Sequence, residues 1–412
     1  MALIHFKNCA VLDTRAGTLL PGRDVVVEGE TIREVSDRPV KAARATAIDL
    51  EGRTLMPGLI DAHVHAIAVE VNLAVLPTLP TTLVAHRAGD ILQGMLRRGF
   101  TSIRDAGGAD FGLAQAVELG LIAGPRMFIS GQALSQTGGH GDLRARTATG
   151  FETCACCHAG ASFGRIADGV AEVRKAARDE LRKGAAQIKI MASGGVASPT
   201  DPVWNLQYSE GEVRAIVEEA ASWRTYVMAH AYTPAAIKRS ISFGVRSIEH
   251  GNLIDAETAR HVAAHDAFVV PTLVTYEALE RDGLALGMPA VSIAKLKDVR
   301  AAGLQSLEHL KEAGVKIGFG SDLLGAMHVH QSREFGIRAA VLSPSEVIRS
   351  ATLTNAELLQ MEDRLGVVAP GALADLLVVD GNPLKKLALL EGQGTHLKAI
   401  MKGGKFFKNE LR

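Results

Sequence analysis

Eight short apolar runs recur through the middle of this chain, with helical patterns standing between them. The runs are Leu59 to His65, Thr101 to Asp105, Arg126 to Gly131, Gln187 to Ala192, Tyr226 to His230, Ser247 to His250, Ala267 to Leu273 and Lys316 to Asp322. Amphipathic helical patterns fall at 165–184, 209–222, 234–243, 255–265 and 293–314. Strand-like runs alternating with helices are the mark of repeated βα units. Eight of them predict an α/β fold, a (β/α)8 TIM-like barrel, in which the chemistry lies at the C-terminal ends of the strands.

The two ends of the chain lack this rhythm. Val11-Leu12-Asp13, Asp24 to Val27 and Thr31 to Val35 are short apolar or alternating runs, punctuated by Gly22, Gly29 and Gly52. The tail is similar, with Asp375 to Val379, Leu397 to Met401 and then Gly403-Gly404. Short runs bounded by glycine read as strands and turns. The expectation is a small β-sandwich formed by residues 1–55 with 366–412, beside a barrel of residues 56–365. Two connections are long, 132–164 and 276–292, and long glycine-bearing loops above a barrel mouth suit lids or specificity elements.

The charges balance, with 45 Lys and Arg against 45 Asp and Glu. An even balance argues against a nucleic-acid or polyanion surface. No run approaches the roughly eighteen apolar residues of a membrane span, and the N-terminus shows no signal-like apolar stretch. A cytoplasmic location is the default, although a removed signal peptide would leave the same sequence. Self-association is left open. Of four cysteines, Cys154, Cys156 and Cys157 form a C-x-C-C-H run with His158. Adjacent cysteines splay apart and no second ligand pair exists, so reduced thiols in a loop are expected rather than a structural zinc.

Six side chains stand at or near the ends of the apolar runs: His63, His65, Lys189, His230, His250 and Asp322. Residues i and i+2 of a strand share a face, so His63 and His65 point the same way, as two ligands of a divalent transition metal would. Singly, each has an ordinary reading: His230 as a core histidine, Asp322 as a helix cap. Lys189 between Ile188 and Ile190 is harder to dismiss. A buried ammonium must find a partner, lose its charge or be modified.

These motifs resemble the amidohydrolase superfamily. The likeness runs through Met56-Pro57-Gly58-Leu59-Ile60-Asp61-Ala62-His63-Val64-His65, Ile188-Lys189-Ile190, His230-Ala231-Tyr232, Ile248-Glu249-His250-Gly251-Asn252 and Gly320-Ser321-Asp322, and continues through the tail from Gly366 to Pro383. The nearest branch holds Xaa-Pro dipeptidases, carboxypeptidase-like N-acyl-amino-acid hydrolases, imidazolonepropionase-like proteins and ochratoxin-type amide hydrolases. The resemblance implies two divalent metal ions, with zinc expected, and a carboxylated Lys189 bridging them. His63, His65 and Asp322 would hold one ion, and His230 and His250 the other. A shared water would ionise near neutral pH, since one zinc already brings water's pKa to about 7. The resemblance also implies that Asp322 shuttles the proton from this bridging hydroxide to the leaving nitrogen.

His140, in the Gly138-Gly139-His140-Gly141 loop, and Tyr232, two residues beyond His230, are expected to contact the substrate. His328 and His330 are weaker candidates for the mouth. Asp61 shares the face of the paired histidines and is weighed as an orienting partner for one of them. The leading function is hydrolysis of an amide bond in a small carboxylate-bearing substrate: a dipeptide, an N-acyl amino acid or an ochratoxin-like aromatic acyl amino acid. The alternative is a cyclic-amide or imidazolone hydrolase using the same site. A scaffold without activity is disfavoured because all six residues are kept. A cysteine hydrolase built on the C-x-C-C-H run is disfavoured because nucleophile and base would be chain neighbours.

Overall fold

The computed structural model describes residues 3–144, 161–198 and 200–411. The barrel strands are β1 (Leu59–Val64), β2 (Phe100–Asp105), β3 (Arg126–Ile129), β4 (Ile188–Met191), β5 (Val227–Ala231), β6 (Ser247–His250), β7 (Phe268–Val270) and β8 (Lys316–Ile317). β1 to β3 pair in parallel as one ladder, and β4 to β8 as a second. Single hydrogen bonds close the ring between them. Ala62 N donates to Phe319 O at 2.8 Å, Asp322 N to His63 O at 2.8 Å, and Ala186 N to Ile129 O at 2.8 Å. The strands are buried along their whole length except at β3 and β8, as parallel strands covered by helices must be.

The returning helices begin where short polar side chains can take their free amides. Ser209 and Glu212 form a reciprocal cap on Glu210–Ser222. Thr233 caps Pro234–Ser242, whose proline sits in the first turn, and Asp255 caps Ala256–Ala264. Thr81–Arg97 and Phe111–Glu118 are further helices, not among those read from periodicity.

Two expectations need correcting. The run Ala267 to Leu273 is a strand only over Phe268–Val270, and the residues from Leu273 to Gly283 are helical rather than loop. Pro271 cannot continue the ladder, and the buried Glu334 carboxylate accepts from Val274 N at 2.6 Å, fixing a helix start there. The run Lys316 to Asp322 is regular only at β8. Beyond it the chain stays bonded to β1 but turns, and Asp322 has a φ of +52°.

The strands from both ends form one eight-stranded sheet in the order Lys405–Asn409, Leu397–Lys402, Leu376–Val379, Thr54–Pro57, Leu3–Asp13, Thr18–Glu28, Thr31–Ser36. The eighth, Thr46–Asp49, shares an edge of Leu3–Asp13 with Thr54–Pro57. The sheet has its own core, with Phe6, Val25, Leu55, Leu376 and Met401 buried together. Cys9 is buried there as a free thiol. Thr54–Pro57 runs through Gly58 directly into β1, and only glycine fits at 58, since a Cβ would lie 2.0 Å from Thr101 Oγ1. Among the described residues no helix is long and apolar enough to cross a membrane.

Candidate metal centre and substrate cavity

At the C-terminal ends of the barrel strands, His63, His65, Lys189, His230, His250 and Asp322 line one cavity of about 590 Å³, counting its open mouth. Asp322 stands among the imidazoles. Its Oδ1 is 3.6 Å from His63 Nε2 and 3.2 Å from His65 Nε2, and its Oδ2 is 3.9 Å from His250 Nδ1. The ring centroids of His63 and His250 are 4.8 Å apart, and those of His230 and His250 4.6 Å.

The far nitrogens decide what this arrangement can do. His63 Nδ1 meets Glu249 Oε2 at 2.6 Å, and His65 Nδ1 meets the carbonyl of Gly107 at 2.9 Å. A carboxylate and a carbonyl only accept, so both Nδ1 atoms carry the proton. Both Nε2 lone pairs then face a carboxylate oxygen. Burial, followed by the charge of Lys189, holds the His63 imidazole well below its ordinary pKa, so it stays neutral. Its Nε2 is buried with no hydrogen-bond partner. Lone pairs converging on a carboxylate repel one another unless a cation sits among them. One ligand atom each from His63, His250 and Asp322 fits within 4.8 Å, a spacing that suits a single ion. The donor set of imidazoles and one carboxylate is that of a divalent transition metal.

The backbone at two of these residues is left-handed: φ is +74° at His250 and +52° at Asp322. Such values are uncommon for non-glycine residues and cluster at functional sites. Lys189 lies deeper, almost fully buried. Burial pushes its pKa down to about 8, against the pull of Glu249 and Asp322. His230 Nε2 lies 3.3 Å from Gly194 O, so it donates there and Nδ1 is spared. Burial brings His250 down to about 3.

Glu249 is the functional residue that the sequence reading missed. It accepts from His63 and, through both oxygens, from Arg104 Nη2 at 2.8 Å, all within the barrel interior. Metal-binding histidines characteristically hand their other N–H to a carboxylate. A charged residue inside the apolar run Ser247 to His250 carried the same signal as Lys189 and could have exposed it. Asp61, weighed as an orienting partner, bonds to no imidazole nitrogen. Its carboxylate accepts from Ser321 N at 3.1 Å, Ser321 Oγ, Gln331 Nε2 at 2.8 Å and His63 N at 3.1 Å. It thereby holds the residue before Asp322.

His140 and Tyr232 line the cavity. His140 stacks on His230 at 4.2 Å, and its Nδ1 lies 3.0 Å from Ser198 Oγ. Tyr232 stacks on His250 at 5.2 Å, and its hydroxyl is 2.9 Å from that of Tyr276. His328 and His330 are not in the cavity wall. His328 is buried against Ala68 O, and His330 lies beside Arg281 and Asp282. The run Cys154 to His158 lies outside the described residues.

The amidohydrolase family model matches residues 54–406. The chain belongs to that family. It is therefore a hydrolase, and a barrel joined to a sheet-rich unit from both chain ends is the family's architecture. A solved amidohydrolase structure superposes with a TM-score of 0.98 at 59% identity, each chain covered to 100%. A prolidase solved in complex with N-methylphosphonate-L-proline gives 0.96 at 55% identity, covering 99% of this chain and 100% of that one. The ochratoxinase of Aspergillus niger is 33% identical over 95% of this chain and 86% of its own length.

Proposed function

We propose that this amidohydrolase cleaves the amide bond of small substrates whose leaving half carries a free carboxylate: Xaa-Pro and related dipeptides, N-acyl amino acids and ochratoxin-like aromatic acyl amino acids. The observation that carries this reading is the gathering of His63, His65 and His250 around Asp322 in one cavity, with His63 Nε2 buried and without a hydrogen-bond partner. The similarity to a prolidase and an ochratoxinase supports the substrate class.

His63, His65 and Asp322 would hold one zinc, His230 and His250 a second, and a carboxylated Lys189 would join them. The described geometry places His250 beside His63 as well, so the two sets touch. These ions would supply Lewis acidity toward a carbonyl and toward water near neutral pH. The chain does the rest. Asp322 accepts a proton from the attacking water and delivers it to the departing nitrogen. Glu249 and Arg104 keep His63 in the tautomer that leaves Nε2 free. His140 and the Tyr232 hydroxyl donate to the substrate's carbonyl and carboxylate. Phe163, Met191, Val196 and Leu279 give the cavity an apolar wall for the acyl half.

The test is a pair of substrates, an N-acyl amino acid and its C-terminal amide, with metal content measured on the same sample. The free acid is expected to be preferred by at least about tenfold in kcat/KM, because its loss leaves buried donors unpaired. Equal kcat/KM for the two would reject carboxylate recognition.

A further inference from the structure

We propose that the segment following β4 is clamped by the helix Ala290–Glu312 so that it presents His140 to the substrate, which makes Lys295 a positioning residue for the reaction. This rests on the reading of His140 as a substrate donor.

Residues 193–198 and 200–207 fold back on themselves. Gly194 N donates to Asn205 O at 2.8 Å and Gln207 N to Ala192 O at 3.1 Å. This segment grips His140 twice. Ser198 Oγ lies 3.0 Å from its Nδ1, and Gln207 Oε1 accepts from its backbone N at 3.1 Å. Gln207 is fixed in turn by Asp201, whose Oδ2 accepts from Gln207 Nε2 at 2.6 Å. His140 lies so close against Gly195 that a Cβ there would fall 2.3 Å from the imidazole Cε1. For Nε2 of His140 to carry a donatable proton, Nδ1 must accept, and the Ser198 hydroxyl 3.0 Å away is placed to donate to it.

Within the segment the described bonds are short-range: Ser193 bridges Leu206, and Asn205 bonds to Pro202 O and the Asp201 carboxylate. Its brace comes from outside. Lys295 Nζ donates to the carbonyls of Gly195 at 3.0 Å, Ser198 at 2.6 Å and Asp201, using all three of its protons. One turn earlier, Ser292 Oγ donates to Ala197 O at 3.2 Å. One helix thus binds four carbonyls in the segment that holds both ends of His140. Lys295 does not line the cavity that holds His63, His140 and Asp322. Its effect passes through Ser198 and Gln207 to one imidazole.

The experiment is a double-mutant cycle on the metal-loaded enzyme with an N-acetyl amino acid as probe. Lys295→Met is expected to lower kcat/KM about tenfold, the scale of a misplaced contact group. In a His140→Ala background the same change should cost less than about twofold, because the two residues act as one unit. Metal content should stay near that of the parent, while Tm falls because three carbonyls lose their donor. Ser198→Ala, which removes only a hydroxyl, should show the same loss and the same non-additivity, and it stands in should Lys295→Met not fold. An equal loss from Lys295→Met in both backgrounds would overturn the clamp. A His140→Ala variant with unchanged kcat/KM would instead overturn the role of His140 in the proposed function.

Discussion

The floor and the rim of the cavity are built by different means. The floor residues His63, Lys189, His230 and His250 belong to β1, β4, β5 and β6; ladder pairing places the last three, and His63 sits at a register break where its carbonyl accepts from Asp322 N and its amide donates to Asp61. The rim residues are held by side chains. His140 depends on Ser198 and Gln207, Tyr232 on Tyr276, and the segment beneath His140 on Lys295. A floor built this way tolerates changes elsewhere and places its ligands closely. A rim built this way is adjustable, because one substitution shifts a contact without disturbing the barrel. Chemistry common to many hydrolases belongs on the floor, and selectivity belongs on the rim.

The comparison breaks most readily at Asp322. Asp322→Asn keeps shape and an oxygen but removes the base, and kcat should fall by roughly 10²–10⁴, as for other losses of acid–base catalysis. KM should change little. A near-normal kcat would show that another group moves the proton, and Asp322 would lose its place in the chemistry.

Glu249→Gln tests whether the floor is a metal centre. Removing the acceptor of His63 N–H should weaken metal affinity by about 10–100-fold, read by competition with a chromogenic chelator. Ser198→Ala, a rim change, should leave that affinity unaltered. Equal affinities for all three proteins would erase the distinction.

The gentlest probe is pH at Lys189. In metal-stripped protein, burial lowers its pKa from 10.5 to about 8. The carboxylation proposed for Lys189 requires the neutral amine, since only that form attacks carbon dioxide. At fixed dissolved carbon dioxide, the rate of metal uptake should rise about tenfold per pH unit below 8 and level off above it. The sign for stability follows from the same shift. Between about pH 8 and 10.5 the unfolded chain binds more protons at this lysine than the folded one. The metal-free protein therefore gains stability as pH rises through that window, and Lys189→Met lacks the gain. A Tm difference between the two that is flat in pH would reject a buried free amine.

The floor was legible in the sequence because periodicity writes it there. His63 on β1 and His65 just past its end stand two apart, and Lys189 interrupts an apolar run. The same rule misled at Asp61, which shares their face but lies deeper and bonds to Ser321 and Gln331. Strand periodicity also could not show the left-handed turns at His250 and Asp322. The rim had no local signature. Ser198 meets His140 across 58 residues, Gln207 across 67, and Tyr276 meets Tyr232 across 44. The helix Leu273–Ala278 was read as strand end and loop because the carboxylate that starts it, Glu334, arrives 60 residues later. The terminal strands were readable as strands, whereas their order in the sheet depended on partners from the opposite end of the chain.

That order has a kinetic side. Thr54–Pro57, the strand leading into β1, pairs on one edge with Leu3–Asp13, a neighbour in sequence. Its other edge pairs with Leu376–Val379, a partner synthesised only after the whole barrel. During synthesis that edge stands open, an invitation to other chains. Closing so long a loop is slow, because the chain must be ordered before distant contacts reward it. Gly58 then sets β1, the strand of His63, one residue away from the last seam to be sewn. Refolding should therefore recover barrel helicity well before it recovers a working centre.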